Sequence, residues 1–188
     1  MEKRNSAPQQ AWFQTLYERH FAFVWRTLRH LGVREADLSD ACQDVFVIVH
    51  RRFPSFEARG KVTTWLFQIC LNLARDRRRL AHVRSEVLGD EALEHAAGTA
   101  GDPHGELERQ DQLALFEAAL ESMDLGQRAA FVLVEIEGMT GPEAAAAMDV
   151  PLGTAYSRLR LARKVFLAAS ERAQKASAYP PVRRGAIR

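Results

Sequence analysis

The sequence contains few cysteines. Cys42 and Cys70 are the two in the chain, and neither stands in the CxxC or Cys/His spacing that a structural metal site uses. Two thiols are also too few for the disulfide framework that stabilises small secreted domains. We therefore expect neither a metal nor another cofactor, and this cysteine usage favours a protein of the reducing cytoplasm.

Long hydrophobic runs and strand-like alternation are missing as well. No apolar stretch approaches the roughly 18 residues that a transmembrane helix needs, and residues 1–10 are polar. The sequence therefore predicts a protein without membrane insertion. Because no segment alternates apolar and polar residues, as a half-buried strand does, the sequence also predicts an all-α fold.

The common sequence signs of catalysis are absent too. The chain has no glycine-rich phosphate loop, no paired metal ligands and no nucleophile beside a general base. We therefore predict that the protein is not an enzyme.

The charge is nearly balanced overall, with a formal net value of +2, but it is segregated along the chain. Residues 75–84 carry five arginines against one acid, whereas residues 85–111 carry eight acids against one arginine. Because the net charge is small, the electrostatic field of the whole protein is weak. Any binding to nucleic acid must therefore depend on local surfaces where charge of one sign is concentrated.

Apolar residues at helical spacing predict three helices in the first half of the chain, over residues 11–31, 34–53 and about 62–80. Gly32 and Pro54 mark the ends of the first two, because glycine caps helices and proline disfavours helix before it. The third helix has Trp65, Leu66, Ile69, Leu73 and Leu80 on its predicted apolar side.

These patterns divide the chain into two small helical domains joined by a flexible acidic linker. The predicted first domain spans residues 8–84, and the linker, rich in Gly, Ala and acids, spans residues 85–106. A second helical domain is predicted over residues 107–172, followed by a tail over residues 173–188.

The strongest local signal lies at residues 140–164, where a short alanine-rich helix, a tight turn and a longer basic helix predict a helix-turn-helix. The outward face of the basic helix contains no acid, whereas solvated surface helices usually mix both signs. An ordinary helical hairpin with a solvated face is the alternative. Side chains predicted to reach DNA are Thr140, Thr154, Tyr156, Ser157, Arg158, Arg160, Arg163 and Lys164.

Two sets of residues carry a resemblance to a known family. In the second domain they are residues 120–128 and 135–138, the Glu143/Ala144/Ala145 step, Pro151, Gly153, Thr154, Ser157, Arg158, Leu159, Ala162 and Arg163. In the first domain they are Asp40, Gln43, Asp44, Phe46, Thr64, Trp65, Leu66, Asn72 and Ala74. Over residues 11–84 and 107–170 the chain resembles regions two and four of the extracytoplasmic-function (ECF) sigma factors, in the expected order.

The resemblance implies a division of labour. Region two would dock on the clamp helices of RNA polymerase core and melt the minus-ten element of promoter DNA, while region four would contact the polymerase flap and read the minus-thirty-five element as duplex. The acidic linker would thread the nucleic-acid channel of the polymerase. An anti-sigma factor is a further partner that the family implies.

The resemblance also assigns residues in the first domain. The polymerase-binding patch would comprise Asp40, Gln43, Asp44 and Val47, although an ordinary solvated turn is the alternative for its polar members.

The resemblance places a second set of residues at the minus-ten element. Asn72 and Asp76 can present polar groups to base edges, and the arginines beyond them can hold phosphates. Phe56 could stack on an unpaired base, whereas the residues alone favour core packing for Trp65. The full minus-ten set is Phe56, Lys61, Thr64, Trp65, Gln68, Asn72, Arg75, Asp76 and Arg79.

Three other functions are compatible with parts of the sequence. A helix-turn-helix repressor or activator would act without core polymerase and bind duplex DNA on its own. An adaptor would use the basic face to bind protein. A serine recombinase would need an α/β catalytic domain, for which residues 1–106 predict no strands.

The sequence also departs from the family at Tyr156, Leu161 and residues 59–62, which leaves the preferred bases open.

Overall fold

The computed structural model describes the backbone of residues 6–52, 61–88 and 105–178, and the side chains of residues 11–52, 61–80 and 113–172. Within these ranges the chain is helical and has no strand, which confirms the predicted all-α class. The elements are α1 (Ser6–His30), α2 (Glu35–Arg52), α3 (Val62–Leu88), α4 (Gly105–Glu121), α5 (Leu125–Phe131) with a π-helical continuation (Val132–Ile136), α6 (Gly141–Met148) and α7 (Leu152–Ala178).

The helix ends agree with the sequence where a capping residue marks them. Gly32 follows α1 with a φ of +87°, a left-handed conformation that glycine adopts without strain. The end of α3 differs, because this helix continues to Leu88 and so includes the first residues of the predicted linker. The remainder of that linker, residues 89–104, lies outside the described residues.

Helices α1, α2 and α3 form the first unit, whose core contains large apolar side chains. Leu28, Leu38 and Phe67 are fully buried in it. The predicted apolar side of α3 was partly wrong, since Leu80 is 64% exposed while Phe67, Cys70 and Leu71 are buried. The physical reason is that α3 packs against α1 and α2 and also against α6, so more than one of its faces is covered.

Helices α4 to α7 form the second unit, where small residues bring short helices close together. Ala144, Ala145 and Ala147 of α6 are buried, as are Ala155 and Leu159 of α7. Leu152, the first residue of α7, is 43% exposed.

A π-helical turn over Val132–Ile136 was not predicted from the sequence. The amide of Glu137 donates to the carbonyl of Val132 at 2.9 Å, five residues back, so this turn holds one residue more than an α-helical turn. Gly138, with a φ of +65°, follows the segment in a left-handed conformation that glycine adopts without strain. The wider turn directs Glu135 toward α7 and Glu137 toward α1.

Within the described residues, no helix is both long and apolar enough to cross a bilayer, and no cluster of His, Cys, Asp and Glu could hold a metal ion. Cys42 and Cys70 are free and buried. Burial raises the pKa of the Cys42 thiol to about 11, and it raises the pKa of Cys70 as well. Both thiols are therefore protonated at neutral pH and poorly reactive.

Candidate nucleic-acid interface

The helix-turn-helix begins with a capping box at Thr140. The Thr140 hydroxyl accepts from the amide of Glu143 at 3.4 Å, and the Glu143 carboxylate accepts from the amide of Thr140 at 2.8 Å. The pKa of Glu143 is lowered to about 2, mainly by a hydrogen bond from Lys61 and then by the two bonds from Thr140. These bonds fix the start of α6.

A left-handed residue turns the chain between α6 and α7. Asp149 has a φ of 53°, and the amides of Asp149 and Val150 donate to carbonyls at the end of α6. Gly141 then allows the two helices to approach, because a Cβ at this position would lie 2.5 Å from the hydroxyl oxygen of Tyr156. Cap, turn and close contact together set the direction of α7.

The exposed side of α7 carries most of the predicted DNA-contacting residues. Arg160 and Lys164 are exposed, and Tyr156 is 51% exposed although its ring packs over Gly141. The Ser157 hydroxyl donates to the carbonyl of Thr154, which is half-buried. We conclude that one face of α7 presents cationic, hydroxyl and aromatic groups together.

Two arginines of α7 make contacts that the sequence did not indicate. Arg163 is exposed but donates to Glu135 of the π-helical turn at 2.7 Å. The outward prediction for Arg158 was wrong, because its side chain is half-buried against Gly126 and its Nη1 has no hydrogen-bond partner among the described residues. The missing Cβ of Gly126 leaves the space that this guanidinium enters.

The predicted minus-ten residues lie along α3 and just before it. Asn72, Arg75, Asp76 and Arg79 are exposed, and the Asn72 amide oxygen accepts from Arg75 at 3.1 Å. Thr64, Trp65 and Gln68, nearer the start of the helix, are half-buried, while Phe56 lies outside the described residues.

Lys61 has a partner that the sequence did not indicate. Its Nζ lies 2.8 Å from the Glu143 carboxylate, which also closes the capping box of α6. A residue assigned to one DNA element therefore contacts the helix-turn-helix assigned to the other. The two residues are far apart in sequence, so no helical periodicity could have shown the pairing.

The predicted polymerase-binding residues share the exposed face of α2. Asp40, Gln43, Asp44 and Val47 are all exposed. Asp44 accepts from Arg77 of α3 at 2.8 Å, a contact that the sequence analysis missed and that fixes this carboxylate beside α3.

Aromatic side chains of α1 support the same helix from its other side. Tyr17 is 40% exposed and packs on Phe46, with ring centroids 4.6 Å apart, and Phe21 stacks on Phe46 at 6.4 Å. These rings fix α2 against α1, so the exposed face of α2 belongs to a rigid pair of helices.

The chain is similar to curated proteins over most of its length. Residues 16–82 match the family described as sigma-70 region 2, and residues 113–165 match sigma-70 region 4. RNA polymerase sigma factor NccH of Alcaligenes xylosoxydans xylosoxydans is 31% identical over 93% of this chain and 95% of its own length. RNA polymerase sigma factor CnrH of Cupriavidus metallidurans is 34% identical over 80% of this chain and 82% of its own.

Two solved structures share the arrangement of helices. CnrH in complex with the cytosolic domain of CnrY has a TM-score of 0.61 at 28% identity, covering 87% of this chain and 90% of that one. The sigma factor RpoE of Bartonella quintana, in complex with the anti-sigma factor NepR, has a TM-score of 0.71 and covers 85% of this chain and 96% of that one. At 23% identity, the second likeness concerns the fold alone.

Proposed function

The chain belongs to the ECF group of the sigma-70 family of RNA polymerase sigma factors, and we propose that it directs promoter-specific transcription initiation in the cytoplasm without catalysing a reaction itself. In this role it binds core polymerase, recognises two promoter elements and helps to open the duplex. We assign region two to residues 8–84, the linker to residues 85–106 and region four to residues 107–172.

Polymerase docking is assigned to the exposed face of α2. Asp40, Gln43 and Asp44 offer carboxylate and amide groups there, and Val47 adds an exposed apolar side chain one turn further along the helix. Charged groups beside an apolar contact orient a complex and speed its association. A basic face on the clamp helices of the polymerase is the complementary partner.

Minus-ten recognition is assigned to α3 and the residues before it. The exposed amide of Asn72 can hydrogen-bond to a base edge, while Arg75 and Arg79 can hold phosphates. Asp76 lies one turn from Asn72 on the same exposed side. The same assignment includes Thr64, Trp65 and Gln68, together with Phe56 and Lys61 of the preceding segment.

Minus-thirty-five recognition is assigned to α7 and the start of α6. Arg160 and Lys164 are exposed cations without an ion pair to the π-helical turn, and Tyr156 and Ser157 lie at the end of α7 that would enter the major groove. Arg158 supports the helix from its inner side, and Arg163 becomes available to DNA when its contact with Glu135 is exchanged for a phosphate. Thr140 and Thr154 complete the assigned set.

The helix-turn-helix geometry is the observation that carries this proposal. The capping box at Thr140, the left-handed turn at Asp149 and the close contact at Gly141 hold an exposed cationic helix at a defined angle to α6. This is the arrangement that places one helix in a major groove while the other crosses the backbone.

Transcription in vitro with core polymerase, across a library of promoters, tests the proposal. We expect start sites that share sequences near minus ten and minus thirty-five, and little duplex binding by the protein alone. Arg160→Ala should reduce transcription, whereas Arg172→Ala, also exposed but later on α7, should not. Tight operator binding without polymerase, and no transcription with it, would instead identify a conventional repressor or activator.

An anti-sigma factor is the regulatory partner that we propose. CnrH was solved with the cytosolic domain of CnrY, and this chain covers 90% of that structure at 28% identity. Co-expression with a candidate inhibitor, followed by the same transcription assay, tests this part separately.

A further inference from the structure

Leu161 is an exposed leucine that the proposed DNA-contacting set does not include. It is 40% exposed and lies within the first three turns of α7, which begins at Leu152. These are the turns that a helix-turn-helix inserts into the major groove. A single exposed leucine is ordinary on a protein surface, so the place of Leu161 on this particular face is the observation to explain.

The buried side of α7 fixes the direction of Leu161. The buried stripe of this helix consists of small and aliphatic residues, Ala155, Leu159 and Ala162. At about 100° per residue, Ser157 and Lys164 point directly away from this stripe. Leu161 and Arg160 flank that outward line, each by about 50°. All four are exposed, so Leu161 shares the outward face with a hydroxyl and two cations.

The arginines of α7 leave the Leu161 side of this face aliphatic. Arg158, one turn before Leu161, is half-buried against Gly126. Arg163 donates to a glutamate of the π-helical turn, and Arg160 lies on the opposite side of the outward line. The Leu161 side therefore lacks the paired donors that an arginine presents to guanine.

Tyr156, the other large side chain near this end of α7, leans on α6 instead. A Cβ on Gly141 would lie 2.5 Å from the Tyr156 hydroxyl oxygen and 2.6 Å from Cζ. Gly141 is not among the left-handed residues, so the room for this ring, and not the backbone conformation, is what glycine provides there. Because α6 crosses the DNA backbone in this docking geometry, Leu161 is the aliphatic group that faces the base edges.

The chemistry of the major groove limits what a leucine can recognise there. Of the groups that the four base pairs present, one is apolar, the C5-methyl group of thymine. A leucine side chain neither donates nor accepts hydrogen bonds, so against another base edge it would cover polar groups without pairing them, which is unfavourable. Against the methyl group it gains from burial of apolar surface. The ligand that fits Leu161 is thus a thymine methyl group.

We propose that Leu161 is a specificity-determining residue of this helix-turn-helix, and that it selects thymine at one position of the minus-thirty-five element through the C5-methyl group. The inference rests on the proposed function, because it concerns how the same helix reads the same element. Ser157 and Arg160 supply polar contacts beside it.

Removing only the methyl group from the DNA tests this directly, because uracil pairs as thymine does but lacks that group. The holoenzyme, which is this chain bound to core polymerase, first selects a promoter from a library. Each thymine of its minus-thirty-five element, on either strand, is then replaced in turn by uracil. We expect one replacement to lower holoenzyme affinity roughly three- to fivefold, as the loss of one buried methyl group should.

Variants of the protein remove or change the same contact from its other side. Leu161→Ala should bind the thymine and uracil promoters equally well. Leu161→Arg should prefer a G·C pair at that position by roughly tenfold, because a guanidinium makes paired hydrogen bonds to guanine. Leu167→Ala is the matched control, since Leu167 is a 61% exposed leucine more than one turn further along α7, and it should keep the full response to uracil. Circular dichroism verifies that each variant is folded.

The outcomes separate this inference from the proposed function. A selected element without thymine, or a wild-type holoenzyme indifferent to every uracil, overturns the inference. So does a response that persists in Leu161→Ala, and its loss in Tyr156→Ala would assign the methyl contact to the tyrosine.

Equal weakening of both promoters by Leu161→Ala also overturns the inference and identifies a contact with protein. In each of these cases promoter-specific binding, and with it the proposed function, still stands. A holoenzyme that binds no promoter in the library refutes both.

Discussion

Large side chains position the proposed site in the first unit, whereas small ones do so in the second. Phe67 and Leu28 fill the core beneath α3, and the site residues then follow the surface of one long helix. In the second unit, buried alanines such as Ala147 let α6 and α7 cross closely, and caps set the angle between them. The first site depends on large side chains that fill the core beneath it. The second depends on small side chains that let its helices approach each other.

The largest effect should come from removing volume in the first unit. Phe67→Ala should lower the free energy of unfolding by about 3–5 kcal/mol, because it leaves a cavity beneath α3. Denaturant unfolding of the full chain measures this. Leu80→Ala, on the same helix but 64% exposed, should change it by less than about 0.5 kcal/mol. Equal effects at both positions would refute the role given to the core.

Adding volume should damage the second unit instead. Ala147→Leu should cost about 1–3 kcal/mol, since the larger side chain pushes α6 away from its neighbours. It should also weaken minus-thirty-five binding in a promoter assay. Ala146→Leu, one position earlier but exposed, is the control and should be nearly neutral. If both variants unfold alike, close helix packing is not what defines this unit.

A smaller change should follow from losing the cap of α6. Thr140→Ala removes the hydroxyl that accepts from the Glu143 amide and should destabilise the second unit by about 1 kcal/mol. Thr140→Ser retains an oxygen at that position and should preserve most of the stability. Thermal unfolding compares the two, and an alanine variant as stable as the serine variant would count against the cap.

The smallest effect concerns pH and the contact between the units. The ring of His30 lies edge-on to Phe116 of α4, and burial, then Arg26 and Arg29, lowers its pKa from 6.5 to about 4. The acid facing it from α4 is Glu117, which pairs with Arg29. Because the folded protein binds this proton less well than the unfolded chain, His30 contributes to stability fully above about pH 6.5, and this contribution is lost as pH falls toward 4.

Denaturant unfolding at pH 7.5 and 5 checks that sign. We expect His30 to lower the free energy of unfolding by about 0.5–1 kcal/mol at the lower pH, a modest change because the ring keeps partial contact with solvent. A His30→Gln variant should show a flatter pH profile. A variant that loses as much stability on acidification as the wild-type protein would contradict the assignment.

Much of the fold could be predicted because the decisive signals are local. Gly32, Gly138 and the Thr140 capping box each stop or start a helix through bonds to residues a few positions away. The apolar spacing of α1 and α2 identifies their buried sides for the same reason. Each assigned site residue that the structure describes also lies on a predicted helix or immediately beside one.

The remaining features depend on residues that are distant in sequence. Arg26 meets Glu137 across 111 positions, and Lys61 meets Glu143 from another helix, so no periodicity marks either pair. Arg158 was assigned outward because charge favours solvent, yet the space at Gly126 allowed it to turn inward.

The π-helical turn at Val132–Ile136 is a place where the chain can lose a residue without disturbing the helices around it. A turn of this kind holds one surplus residue, so deleting a single residue there would leave a regular α-helix with its flanks still in phase. The same deletion within α6 would rotate all that follows by about 100° relative to what precedes it. One-residue insertions and deletions between otherwise similar chains should therefore concentrate at this turn.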